Sequence, residues 1–151
     1  MDARDLYEVL ELAIGRERAA VTFYEELSRN ARFAAQKSTL AEFRAMEEGH
    51  VAMLAAMKAR GAVRLSAAFA VDLGLARALD AGDQPVAVMS YQDILVSAIK
   101  KEERSGSLYA DLAAAAADPD VRAVFERLSA EESRHKRYFE ELYDTEVARD
   151  N

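Results

Sequence analysis

The chain has 151 residues, a formal net charge of −7 and a pI near 4.9. That length suits one domain. The absence of cysteine excludes disulfides, thiolate metal sites, iron–sulfur clusters and thiol catalysis, and the acidic balance argues against a nucleic-acid partner, because phosphates need a basic face. The longest apolar run, residues 51–57, falls far short of the roughly 20 residues of a membrane span, so no membrane partner is expected. The opening Met1-Asp2-Ala3-Arg4-Asp5 lacks the apolar stretch of a secretory signal, which predicts a cytoplasmic protein. Hydrophobic residues at 51%, with only two prolines and six glycines, predict a mostly helical globular chain.

Four helical segments follow from periodicity and caps. The first spans about Arg4–Arg29 and places Leu6, Leu10, Ala13, Glu17, Ala20, Tyr24 and Leu27 on one face at spacings of three and four. The second spans about Ala34–Arg60, with Phe43, Glu47, His50, Leu54 and Met57 on one face and Gly61 as its stop. The third begins near Ser90, where Ser90 and Asp93 have capping-box spacing, and runs to about Ala117 through Ile94, Leu95, Ala98, Glu102, Tyr109 and Leu112. The fourth opens at Asp118-Pro119, an N-cap followed by proline at the first helical position. It continues through Val121, Phe125, Leu128, Glu132, His135, Phe139 and Leu142. Between them, residues 61–89 carry turn signals at Gly61, Gly74, Gly82 and Pro85, with room for a short helix over Ala67–Leu79. A connection this long suits a crossover running the length of a bundle. The predicted architecture is therefore an all-α, single-domain four-helix bundle over 1–151. Hairpins at about 4–60 and 90–148 are joined by one long crossover, the ferritin-like connectivity.

The two hairpins are copies of one another. Shifted by 85 residues, Leu10 meets Leu95, Glu17 meets Glu102, Tyr24 meets Tyr109 and Leu27 meets Leu112. In the second helix of each hairpin Glu47 meets Glu132 and His50 meets His135, with no gap needed. The matched polar residues interrupt apolar stripes. Both histidines of the chain lie in Glu-x-x-His, a spacing that puts the two side chains on one helix face. The midpoints of the pairs Glu17/Glu47 and Glu102/Glu132 fall at 32 and 117, where the helix–helix turns are expected. The two glutamates of each hairpin thus lie level, about 22 Å from the turn.

Four carboxylates and two imidazoles inside an apolar bundle are costly unless counter-charge accompanies them. Two divalent cations carry the matching charge, and oxygen and nitrogen ligands without sulfur suit iron or manganese. One Glu from each of two helices plus Glu-x-x-His from the other two is the pattern of carboxylate-bridged dimetal bundles. From that pattern Glu47 and Glu132 are expected as bridges, Glu17 and Glu102 as terminal carboxylates, and His50 and His135 as the nitrogen ligands. The competing reading is a salt-bridged core, yet no arginine or lysine falls on the interior stripes. Glu48, Glu103 and Glu131 flank the ligands about 100° away and read as solvated. Tyr24 and Tyr109, two turns beyond Glu17 and Glu102, are either aromatic core or hydroxyl partners of a ligand carboxylate. Met46, Met53 and Met57 read as packing, and Gly49 and Gly106 as candidate points of close helix contact.

The stretches from Ala13 through Glu17 to Tyr24, Met46-Glu47-Glu48-Gly49-His50, Ala98 through Glu102 to Tyr109, and Glu131-Glu132-Ser133-Arg134-His135 resemble the rubrerythrin and bacterioferritin branch of the ferritin-like superfamily along nearly the whole chain. The resemblance implies two iron ions, with manganese or a mixed pair as the alternative metals. It implies a di-iron oxidoreductase that reduces hydrogen peroxide or dioxygen; the alternatives are a bacterioferritin-type ferroxidase and a manganese catalase-like enzyme. Rubrerythrins usually carry a cysteine-ligated rubredoxin domain; this chain has no cysteine, so a separate donor protein such as a rubredoxin is expected. Ser105 stands where rubrerythrins have an extra glutamate, leaving the symmetric six-residue ligand set. Glu48 stands where bacterioferritins have their haem methionine, so no haem is expected. A homodimer is the expected assembly.

Overall fold

The computed structural model describes residues 3–60 and 85–147. Most of the expected crossover, the short helix over Ala67–Leu79 and the stop at Gly61 lie outside the described residues. Among the described residues the helices are α1 (Ala3–Ser28), α2 (Lys37–Arg60), α3 (Tyr91–Ala115) and α4 (Pro119–Glu146), with 3-10 turns at Ala31–Gln36 and Val86–Val88. None of these helices is long and apolar enough to cross a membrane. Contacts divide the chain into two compact units, Met1–Asp80 and Ala81–Asn151, with the boundary inside the expected crossover. Each unit holds one helical hairpin, α1 against α2 and α3 against α4.

In the first hairpin the turn differs from expectation. Regular helix begins at Lys37 rather than Ala34, and Ala31–Gln36 is a 3-10 turn. Asn30 caps that turn by accepting from the Arg32 amide at 2.9 Å. Phe33 leaves helical backbone at φ −111°, ψ 21° and is completely buried. Seating this ring in the core sets the tighter path. The second hairpin turns in three residues. Asp118 accepts from the amides of Asp120 and Val121 at 2.7 and 3.4 Å, and Pro119 opens α4. The residue before a proline is pushed out of helical backbone, and Asp118 sits at ψ 126°. Already at Ala116 the chain is extended, so α3 ends at Ala115, two residues before the expected Ala117. Ser90 caps α3 as its sequence predicts, accepting from the Asp93 amide at 3.1 Å. Asp118→Ala is expected to cost about 1 kcal/mol by removing the cap of α4. A urea denaturation midpoint unchanged by the substitution would show that the cap carries no stability.

Burial repeats with the 85-residue shift. Leu10 and Leu95, Ala13 and Ala98, Phe23 and Leu108, Leu27 and Leu112, and Leu54 and Phe139 are all buried. Ala20, Val121 and Leu142, placed on the interior faces by periodicity, are only half-buried. One exchange preserves core volume. Leu40 and Phe43 of α2 correspond to Phe125 and Leu128 of α4, so the large and small positions trade places, as packed cores tolerate when volume is kept. Each buried tyrosine therefore meets its phenylalanine differently. Tyr24 meets Phe43 edge-on at 5.7 Å between ring centroids, whereas Tyr109 stacks on Phe125 at 6.4 Å.

The far end of each hairpin is tied at equivalent positions. Lys58 lies over the Tyr7 ring at 4.4 Å and pairs with Glu11 at 3.0 Å, and the ammonium holds the Glu11 carboxyl below its ordinary range. In the second hairpin Gln92 and Tyr143 take the corresponding places, and the Gln92 amide donates to the Tyr143 hydroxyl at 3.3 Å. Beside them Tyr91 donates to Glu146; burial first, and this carboxylate second, push the Tyr91 phenol above its usual range.

Candidate metal centre

The helical registers bring the predicted residues together within each hairpin. In the first, α1 supplies Glu17 and α2 supplies Glu47 and His50. His50 Nδ1 lies 3.4 Å from a Glu17 oxygen and 3.7 Å from a Glu47 oxygen. In the second, α3 supplies Glu102 and α4 supplies Glu132 and His135. His135 Nδ1 lies 3.7 Å from Glu102 and 4.0 Å from Glu132. The same nitrogen thus faces the carboxylates in both copies, a choice that sequence spacing leaves open. Within each hairpin the three residues offer ligand atoms lying within 4.8 Å of one another.

Glu17, Glu47, His50, Glu102, Glu132 and His135 are each at most 4% exposed, and they are the buried polar or charged residues among those described. Among the described residues no lysine or arginine is buried with them. In the first hairpin, burial disfavours the imidazolium, yet Glu17 and Glu47 outweigh it and hold His50 up to about 10. A proton on His50 is thus one way to offset this carboxylate pair, and a cation at the same place is the other.

Of the flanking glutamates, Glu48 and Glu103 are exposed as expected, whereas Glu131 is half-buried. Glu48 is exposed and pairs with Arg44 at 3.1 Å. Glu103 faces Lys136 at 3.8 Å, and Glu131 pairs with Arg127 at 3.1 Å. Glu48→Gln is expected to leave metal content within about 20% of the parent, since exposed ion pairs contribute little. Loss of metal in that variant would mean that the wrong glutamate of the Glu47-Glu48 pair had been assigned.

Tyr24 and Tyr109 are 1% exposed; Tyr24 packs against Phe23 and Phe43, and Tyr109 against Phe125. The two glycines differ. A Cβ on Gly106 would sit 3.8 Å from Glu132 Cβ, and Ser129 donates to the Gly106 carbonyl at 2.9 Å, so α3 and α4 approach closely beside a ligand. A Cβ on Gly49 meets nothing within 4 Å, so Gly49 is not a contact point.

Residues 93–150 match the family model described as Rubrerythrin, a segment that contains Glu102, Glu132 and His135. Among solved structures, the chain is similar to one from Thermotoga maritima described as a ferritin-like diiron-carboxylate protein. The two share 22% identity over 94% of each chain, with a TM-score of 0.66. No curated protein matches the sequence. The chain has an all-α helical-bundle fold like that of this ferritin-like protein, and its residues 93–150 are similar to the rubrerythrin family.

Proposed function

We propose that the two Glu/His clusters hold two metal ions and that the protein is a di-iron oxidoreductase that reduces hydrogen peroxide or dioxygen. The observation that carries this reading is the buried polar set itself: four carboxylates and two imidazoles, with no buried lysine or arginine beside them among the described residues. The donor set fits the metals. It is oxygen and nitrogen without sulfur, the preference of iron and manganese, and four carboxylates balance two divalent ions. The protein described as a diiron-carboxylate protein shares this fold.

In this reading Glu17, Glu47 and His50 would hold metal in the first hairpin and Glu102, Glu132 and His135 in the second, with the glutamates supplying carboxylate oxygens and the histidines nitrogen. A pair of ferrous ions supplies the electrons for reduction of the oxidant. Leu54 and Phe139, one turn after His50 and His135, are completely buried, and such apolar cover would keep bulk water from the ligands. A separate donor protein of rubredoxin type returns the electrons, and the working assembly is a homodimer.

Anaerobic ferrous titration with elemental analysis, followed by a peroxide challenge, tests the proposal. Two iron ions per chain and stoichiometric peroxide consumption are expected. A chain that holds fewer than two metals, or whose bound iron is inert to peroxide, defeats it. Sedimentation analysis adds a second arm: a hollow multi-subunit cage would favour iron storage over peroxide reduction.

A further inference from the structure

Three of the five methionines of the chain lie on α2, and two of them flank a candidate ligand. Met46 precedes His50 by four residues and Met53 follows it by three, spacings that set all three side chains on one side of the helix. Met46 and Met53 are half-buried, whereas Met57 is 2% exposed. The corresponding places on α4 hold Glu131 and Tyr138, so thioethers accompany the first cluster alone. Met89 is half-buried as well. It lies beyond the start of α3, with about 16 Å of helix between Tyr91 and Glu102. The chain thus contains its own comparison: two thioethers beside a cluster, one of like exposure remote from the cluster of its own hairpin, and one shielded.

We propose that Met46 and Met53 are a sacrificial oxygen-acceptor site that intercepts peroxide next to His50. The inference rests on the dimetal reading, because it is the metal site that draws peroxide to this place. Leucine would fill the same volume; what a thioether adds is a lone pair that peroxide oxidises reversibly. Sulfur attacks one peroxide oxygen, the O–O bond breaks and an S–O bond forms. Sulfur is oxidised by two electrons. The departing hydroxide takes the proton from the transferred oxygen and leaves as water. The products are one methionine sulfoxide and one water per peroxide.

Peptide mapping by mass spectrometry of the full chain after graded hydrogen peroxide tests this, with metal content measured first. In iron-loaded protein Met46 and Met53 are expected to gain oxygen at least about fivefold faster than Met89; in metal-free protein the three should agree within about twofold. Met57 should lag in both. A chain with two metals in which Met89 keeps pace overturns this proposal alone, as does a preference for Met46 and Met53 that persists unchanged without metal. A chain that takes up no metal overturns the dimetal reading and this proposal with it. The double variant Met46→Leu, Met53→Leu supplies an independent readout. It should keep its metal while oxidation of His50 rises several-fold over repeated peroxide additions; His50 oxidation equal to the parent's would rule out the sink.

Discussion

Replacing His50 or His135 with alanine is expected to lower bound metal from two ions per chain to about one or fewer. Partners that merely orient a metal-bound histidine are worth 10- to 100-fold in affinity, so deleting the ligand itself should cost more than about 100-fold. Each imidazole would be the nitrogen donor of its cluster, with Nδ1 3.4 Å from Glu17 in one and 3.7 Å from Glu102 in the other. Glu48→Gln provides the comparison, because Glu48 sits two residues from His50 but is exposed. Elemental analysis together with circular dichroism separates metal loss from unfolding. Full metal retention in a folded His50→Ala variant would refute the ligand assignment.

Complete removal of metal is expected to lower Tm by roughly 10 °C at neutral pH. A ligand bound only by the folded state, at free concentrations about a thousandfold above its Kd, contributes about 4 kcal/mol. In a chain of this size each kcal/mol shifts Tm by about 2–4 °C. The pH dependence has a definite sign. His50 in the metal-free fold is held up to about 10 against an ordinary 6.5. Its stabilising contribution is therefore complete below about 6.5 and is lost as pH rises towards 10. Coordination requires the neutral imidazole, so the loaded protein has no such loss from His50. The Tm gap between loaded and metal-free protein should widen from pH 6.5 to 9. A constant Tm after full chelation, or a gap that narrows over that range, would contradict a buried metal centre at these residues.

Much of this centre was legible in the linear sequence, because its determinants are local or periodic. Helix faces repeat every three to four residues, so Glu17, Glu47, Glu102 and Glu132 stood out against apolar stripes, and the 85-residue repeat paired them without coordinates. Caps act over two or three residues, which is why Ser90 and Asp118-Pro119 marked the starts of α3 and α4 correctly. Other features depend on atoms from the partner helix. Whether Gly49 or Gly106 marks a close approach is decided by what lies opposite: open space in one case, Ser129 and Glu132 in the other. The 3-10 path from Ala31 to Gln36 follows from burying the Phe33 ring, a packing result that no local signal announced. Which nitrogen of His50 and His135 faces the carboxylates is likewise set by how the two helices of a hairpin pack. Periodicity and capping are encoded within a few residues of chain and so belong to the sequence alone; contact across a helix pair exists only after folding, and tertiary structure alone decides it.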